Sequence, residues 1–398
     1  MQSLAHRRNH LNAKTPVSVE REFSLFHSDA RPASRTTTNG FMAALSSRLE
    51  TSSRRYDVVE EVAGNSFEVK VCFSNAREIS TDLRRAYEEI RALVMERGLL
   101  VIGISSPVHS EEFNDFFTTM AFPLAKNFLG RTNSTHIHIG GEKEAELISR
   151  YNAASLLAPT LLDISQSSII DGKKRGRADQ IARFLDAIPR EMALPLMIRD
   201  FGSFESGMET ARQAAEQAIR RTINGNAGYL CSRFPELTRM NGNGFELLRL
   251  TPDKLFSLAR LRPDKKSSEY GLAGSLEIRS IDGQATLERD IAMIHLALGA
   301  LMHAESNLAD GALSEDAISH ISSYIGSIAR SSMDAARQAR ALEIMRNAAE
   351  GLAQLGLGTE SLEAVRLMVE RPPYLNYSNM AASEAIKTSA TEFIQSVR

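Results

Sequence analysis

Residues 17 to 26 read VSVEREFSLF, and this stretch decides the fold class. Apolar and polar side chains alternate along it with a period of two, which is typical of a β-strand whose two faces differ. The faces carry Val19, Arg21, Phe23 and Leu25 on one side and Ser18, Glu20, Glu22 and Ser24 on the other. The stretch therefore predicts a strand with two carboxylates on its polar face.

The same alternation returns in three later segments, SFEVKVCF (66–73), THIHIGG (135–141) and SLEIRSID (275–282). A fifth strand is predicted over the apolar run 99–105. Helices are predicted over 41–51, 76–98, 111–128 and 142–162, and Gly98 is a natural end for the second of them. We interpret residues 28–40 and 171–177 as polar and basic loops, and residues 178–240 as mostly helix and loop.

Residues 285–398 have an almost wholly helical pattern, with breaks near Gly311, Gly356 and the pair Pro372-Pro373. Separated strands with polar alternate faces, each followed by a helix, predict an α+β fold. Its sheet would be mostly antiparallel, with one face solvated and helices packed on the other. We predict a disordered tail over 1–14, a sheet-containing domain over 15–300 and a helical C-terminal region over 301–398 that packs on it.

Composition excludes several classes of protein. The 398 residues include 47 basic and 49 acidic ones, so bulk attraction to nucleic acid is not expected. Two cysteines exclude a disulfide-rich scaffold and a four-cysteine zinc site, and fit a reducing cytoplasm. No apolar run is long enough to span a membrane. Neither a G-x-G-x-x-G turn after a strand nor a P-loop is present.

Candidate functional residues lie on the polar faces of the predicted strands. They are Glu20, Glu22, Glu68, His136, His138, Glu277 and Arg279, with Glu61 seven residues before Glu68. Carboxylate oxygens suit Mg²⁺ or Mn²⁺, imidazole is an additional ligand, and an arginine can hold phosphate or carboxylate by paired hydrogen bonds. The alternative is that these residues form the wet face of a half-exposed sheet.

Five short motifs, in this order, resemble the glutamate–cysteine ligase family of carboxylate–amine ligases, in its bacterial and plant-type branch. They are Ser18-Val19-Glu20-Arg21-Glu22-Phe23, the pair Glu61 and Glu68, His136-Ile137-His138-Ile139-Gly140, the turn Ser165-Gln166-Ser167-Ser168, and Arg262-Pro263 followed by residues 274–282. The resemblance extends over about residues 17 to 300.

The resemblance implies a glutamine-synthetase-like fold whose curved antiparallel sheet binds ATP and Mg²⁺ or Mn²⁺. The implied reaction phosphorylates a carboxylate, commonly the γ-carboxylate of glutamate, and an amine then displaces the phosphate. The implied metal ligands are Glu20, Glu22, Glu61, Glu68, His136 and Glu277. The implied nucleotide contacts are His138, Arg279, Lys173 and Lys174, and the implied catalytic residues are Arg279 and Arg262.

The chain departs from the family pattern towards its C-terminal end. The segment Ala335 to Arg340 lacks the glycine that follows in the family's late motif, so the acceptor stays open between cysteine, another amine and a carrier peptide. Two other functions stay open as well, a guanidino-type phosphotransferase on the same fold and a non-catalytic member that binds ATP. Small-molecule substrates are expected, nucleic acid and membrane are not, and a homo-oligomer is left open.

Overall fold

The computed structural model describes residues 11, 14–50, 56–61, 63–105, 112, 133–167, 169–170, 173–174, 202, 206, 258–262, 273–307 and 315–397. The strands in these ranges are β1 (Pro16–His27), β2 (Tyr56–Glu60), β3 (Ser66–Asn75), β4 (Leu99–Ile102), β5 (Ser134–Gly141), β6 (Ile169–Ile170), β7 (Lys173–Lys174), β8 (Ala259–Arg262) and β9 (Gly274–Asp282). The helices are α1 (Arg35–Glu50), α2 (Ile79–Arg97), α3 (Glu144–Ser165), α4 (Leu287–Asn307), α5 (Glu315–Arg330), α6 (Ala335–Leu355), α7 (Leu362–Glu370) and α8 (Ala382–Ser396).

The main sheet has the order β2-β3-β1-β5-β9-β8, and β4 pairs with the C-terminal end of β1. Every pairing in this sheet is antiparallel. The opening stretch is therefore a central strand, because β1 lies between β3 and β5. The α+β class and the antiparallel sheet predicted from the alternation are confirmed.

The apolar face of the sheet forms the core against helices α1, α2 and α3. Its fully buried side chains include Val19, Phe23, Phe67, Ile137, Ile139, Leu276 and Ile278. Helix α4 packs against α2 and α3 and is itself covered by α6 and α7. A register shift between β5 and β9 keeps both Ile278 and Ile281 on the core side, although they are three residues apart.

Glycines determine where helix α2 ends and how closely helices α4 and α6 approach each other. Gly98 ends α2 with φ 62°, the left-handed conformation that glycine adopts without strain, as predicted. Gly299 of α4 and Gly351 of α6 meet at a helix crossing, where a Cβ on Gly351 would lie 1.9 Å from the carbonyl oxygen of Gly299. The two helices can approach this closely only because neither residue has a side chain.

Several boundaries differ from those predicted. Helix α1 begins at Arg35, inside the predicted loop 28–40, because the Ser34 hydroxyl accepts from the N–H of Thr37 and the helix buries Phe41, Leu45 and Leu49. Strands β2 and β8 were not predicted, since four or five residues are too few for a clear period. The short pair β6–β7 replaces part of the basic loop 171–177. Strand β4 ends at Ile102, three residues before the predicted end.

Some predictions fall on residues outside the described ranges. These are the helix 111–128 apart from Glu112, the break at Gly311, and residues 178–240 apart from 202 and 206. Leu11, within the predicted tail, is buried, and its N–H donates to Glu305. Helix α4 runs without a break through residue 300, where the sequence predicts the start of the C-terminal region. The breaks at Gly356 and Pro372-Pro373 are confirmed.

A fully buried polar network lies on the core side of β1. Arg21, predicted on the apolar face, donates from Nε to Asp290 of α4 at 2.9 Å and to the hydroxyl of Tyr87 of α2 at 3.1 Å. Asp290 also accepts from Thr135 of β5 at 2.9 Å and from Tyr87. The network joins two strands to two helices. It satisfies charges whose burial without partners would be costly.

Candidate active site

The antiparallel register aligns the polar faces of β3, β1, β5 and β9. Glu20 stands opposite Lys70 on one side and opposite His136 on the other, and Glu22 stands opposite Glu68. His138 stands opposite Glu277. Directly opposed residues in antiparallel strands have Cβ atoms about 5 Å apart, so the register alone brings these side chains into contact.

This polar face is buried rather than solvated, which corrects the prediction of a wet face. Glu20 and Glu68 are each 8% exposed, His136 is 4% exposed and Glu277 is fully buried. Carboxylates are almost never buried unless they are paired or bind a cation. The burial therefore argues against a solvated surface and in favour of a site.

Three overlapping groups have the geometry to hold a metal ion. They are Glu22, Glu61 and Glu68; Glu20, Glu68 and His136; and Glu20, His138 and Glu277. In each group, one ligand atom from every residue lies within 4.8 Å of the others. All six predicted metal ligands thus come together. His138, predicted as a nucleotide contact, joins them, with its Nε2 3.0 Å from Oε2 of Glu20.

Arginines hold one end of the site through Glu277. Arg260 Nε lies 2.5 Å and Arg262 Nε 3.4 Å from Oε2 of Glu277, and Arg279 pairs with Oε1. Both oxygens of Glu277 are therefore engaged, which makes it an anchor for arginines as well as a ligand candidate. Arg279 is buried, whereas the side chain of Arg262 is 34% exposed and can reach a bound substrate.

The charges shift the carboxylate pKa values in opposite directions. Burial raises the pKa of Glu68 well above its ordinary value, and the charges of Glu20, Glu61 and Glu22 raise it further. Burial would also raise the pKa of Glu20, but His138, His136 and Lys70 lower it well below its usual range. Arg279 and Arg260 overcome burial in the same way and lower the pKa of Glu277.

These residues fit a divalent cation. The same negative charges that raise the pKa of Glu68 would attract a divalent cation, which would neutralise them. Carboxylate and imidazole ligands suit Mg²⁺ or Mn²⁺. The group Glu22, Glu61 and Glu68 offers three carboxylates. Glu22 is already oriented, because its Oε2 accepts from the N–H of Ser134 at 2.7 Å.

The structure adds residues that the sequence did not single out. Lys70 lies on the polar face of β3 two residues after Glu68, and this spacing was the signal that could have identified it. Arg260 lies two residues before Arg262 on β8, the strand that was not predicted. The backbones of Lys173 and Lys174 form β7, and the nucleotide contact predicted for their side chains stays a prediction.

Cys72 lies on β3 beyond Lys70 and is half-buried. Burial and the nearby carboxylate of Asp57, 3.8 Å from its Sγ, raise the pKa of the Cys72 thiol to about 11. We expect iodoacetamide to alkylate Cys72 at pH 8 at least about tenfold more slowly than it alkylates glutathione, because the thiolate is the nucleophile. A Cys231→Ser background isolates this thiol, and mass spectrometry measures the rate. Alkylation as fast as that of glutathione would contradict the raised pKa.

A family model described as glutamate-cysteine ligase family 2 matches residues 17–337, which include every candidate residue named above. The chain belongs to this family. Its membership places it in a family of ligases that form amide bonds. The resemblance to the glutamate–cysteine ligase family that the five motifs indicated is therefore confirmed. A comparison with curated protein sequences finds no match.

Two solved ligase structures share the fold of this chain. A glutamate–cysteine ligase from Francisella tularensis, in complex with AMP, superposes with a TM-score of 0.56 at 12% identity, over 98% of this chain and 90% of that one. A bifunctional glutathione synthetase from Pasteurella multocida gives a TM-score of 0.55 at 12% identity over 97% of this chain. The chain spans about half, 53%, of that longer enzyme.

Among the described residues, no helix has the length and apolar character needed to cross a bilayer.

Proposed function

We propose that the chain is an ATP- and Mg²⁺-dependent carboxylate–amine ligase that forms an amide bond through an acyl phosphate. The proposed carboxylate is the γ-carboxylate of glutamate. The observation that supports this most is the juxtaposition of three metal-capable groups with Arg260, Arg262 and Arg279 on one buried sheet face. Family membership supports the ligase chemistry.

The proposed roles follow from position and charge. Glu22, Glu61 and Glu68 would hold one divalent ion, and Glu20, His136, His138 and Glu277 are the ligands available for another. Bound metal would neutralise phosphate oxygens and so favour transfer of the γ-phosphoryl group. Arg262, which is partly exposed, would bind the carboxylate or phosphate of the substrate, and Arg279 would face the transferred phosphate.

The buried site would also protect the intermediate. An acyl phosphate hydrolyses readily, so a site that excludes water favours attack by the amine. Glu277 positions Arg260, Arg262 and Arg279 around one carboxylate, which fixes their donors before the substrate arrives. Lys173 and Lys174 are proposed nucleotide contacts. The acceptor is proposed to be cysteine, another small amine or a carrier peptide.

Product analysis tests the proposal. The purified chain is incubated with ATP, Mg²⁺, glutamate and a panel of amines that includes cysteine, and ADP and the products are followed by mass spectrometry. We expect ADP release that requires both partners and one new amide per ADP. Hydroxylamine should trap the acyl phosphate as a hydroxamate when no other amine is present.

Two outcomes would contradict the proposal. A stable phosphorylated guanidine, formed without any amide, would indicate a phosphotransferase. ATP–Mg²⁺ binding without turnover of any carboxylate and amine in the panel would indicate a non-catalytic member.

A further inference from the structure

Lys70 places a positive charge inside the carboxylate cluster. It stands directly opposite Glu20 in the β1–β3 register, and its Nζ lies 2.7 Å from Oε1 of Glu20. Its side chain is 28% exposed and that of Glu20 10%. An ion pair this sheltered is screened much less than one on the surface, so the Lys70 ammonium is a strong local charge.

The contact divides the two oxygens of Glu20 between different partners. Oε1 faces Lys70, and Arg262 Nη1 lies 3.9 Å from the same oxygen. Oε2 faces His138 Nε2 at 3.0 Å and His136 Nδ1 at 3.5 Å. A divalent cation that binds Glu20 through Oε1 must displace the ammonium, and one that binds through Oε2 is repelled by it across a single carboxylate.

The three metal-capable groups therefore differ in their relation to Lys70. Glu20 belongs to two of them, with His138 and Glu277 in one and with Glu68 and His136 in the other. The third group, Glu22, Glu61 and Glu68, does not include Glu20. The positive charge of Lys70 therefore weakens cation binding most in the two groups that use the oxygens of Glu20.

We propose that Lys70 is an internal cation that takes the place of a divalent ion at Glu20. The inference rests on the proposed metal-dependent function. In the protein without nucleotide, the first Mg²⁺ or Mn²⁺ binds at Glu22, Glu61 and Glu68, and the groups built on Glu20 bind a second ion only at higher concentration. Lysine suits this role, because its flexible stem lets the ammonium leave Glu20 for another anion.

Titration of the full chain with Mn²⁺, with free Mn²⁺ measured by electron paramagnetic resonance, tests the inference. We expect one stronger and one weaker binding step in the wild type. Lys70→Met should tighten the weaker step about tenfold or more, because it removes a unit charge next to the ligand set. Lys70→Arg keeps the charge and should bind Mn²⁺ like the wild type. Lys387→Met, on the exposed side of α8, is the control for loss of a lysine elsewhere.

A double variant assigns the effect to Glu20. In a Glu20→Gln background the weaker step should be lost, and Lys70→Met should not restore it, because both groups that form this step use the Glu20 carboxylate. Circular dichroism checks that each variant is folded. If Lys70→Met does not fold, Lys70→Gln replaces it as the test variant. Identical Mn²⁺ isotherms for the wild type and folded Lys70→Met would overturn the inference and leave the proposed function standing. Absence of Mn²⁺ binding in every variant would contradict the proposed function itself.

Discussion

Glu68→Gln is expected to lower kcat by at least about 100-fold while leaving the protein as stable as the wild type or more stable. Glu68 belongs to two of the metal-capable groups, so its loss would affect both. Mutating a residue that only orients a metal ligand typically costs about 10- to 100-fold in activity, and losing a ligand itself should cost at least as much. Glutamine keeps the shape of the side chain and removes its charge. The assay is the ATP-dependent ligation described above.

The expected gain in stability follows from the raised pKa of Glu68. Burial and the neighbouring carboxylates disfavour its ionised form in the folded chain, so folding stability falls as the pH rises from the ordinary glutamate pKa towards the raised one. Glutamine removes this penalty, and the thermal midpoint at pH 8 should stay equal or rise. Added Mn²⁺ should raise the midpoint of the wild type more than that of the variant.

The matched control is Glu88→Gln, on the exposed side of α2, which should change neither activity nor the response to Mn²⁺. Ligase activity of Glu68→Gln within a few-fold of the wild type would exclude a metal role for this carboxylate. A strongly destabilised Glu68→Gln variant would instead show that Glu68 supports the fold.

Asp290→Ala is expected to destabilise the protein by about 3–5 kcal/mol, the range observed when one partner of a buried ion pair is removed. Asp290 and Arg21 are both fully buried. Without Asp290, the guanidinium of Arg21 would stay in the core with no opposite charge beside it. Tyr87→Phe removes a single hydroxyl from the same network and should cost about 1–3 kcal/mol. Urea unfolding followed by circular dichroism measures both values.

A double substitution separates the charge from the packing. Replacing Arg21 with Met and Asp290 with Leu removes both charges, and this variant should recover a substantial part of the stability lost in Asp290→Ala. Asp316→Asn, on an exposed position of α5, is the control and should change stability by less than about 0.5 kcal/mol. An Asp290→Ala protein within about 1 kcal/mol of the wild type would contradict the importance of the network.

The alternation of side chains was enough to predict four of the strands that carry the site, β1, β3, β5 and β9. A period of two assigns the residues of β1 and β5, and those of β9 before its bulge, to a face without any knowledge of the neighbours, so Glu20, Glu22, His136 and Glu277 could be placed on the polar face from sequence. The motif order then supplied the family. Short strands such as β2 and β8 could not be predicted, because four or five residues show too little of a period.

Burial of the polar face could not be predicted, because alternation is the same on a wet sheet and on one that is covered. The same limit applies to Arg21. Its alternation placed it correctly on the core side, yet only the fold supplies its partner Asp290, which lies 269 residues further along the chain. The helix α1 shows a related limit, since its start at Arg35 depends both on the contact between Ser34 and Thr37 and on the burial of Phe41 and Leu45 in the core.

The sequence by itself determined which residue types face which side of a regular strand, because that depends only on the geometry of one strand. It could not place Ile281, which the bulge in β9 turns to the core side. It also determined the family, because the motifs are local. Only the tertiary structure decided which charges meet: Lys70 with Glu20, Arg260 with Glu277 and Arg21 with Asp290. Pairing between distant segments depends on strand order, register and the position of a bulge. These are fixed by the packing of the whole core and leave no periodic signal in any single segment.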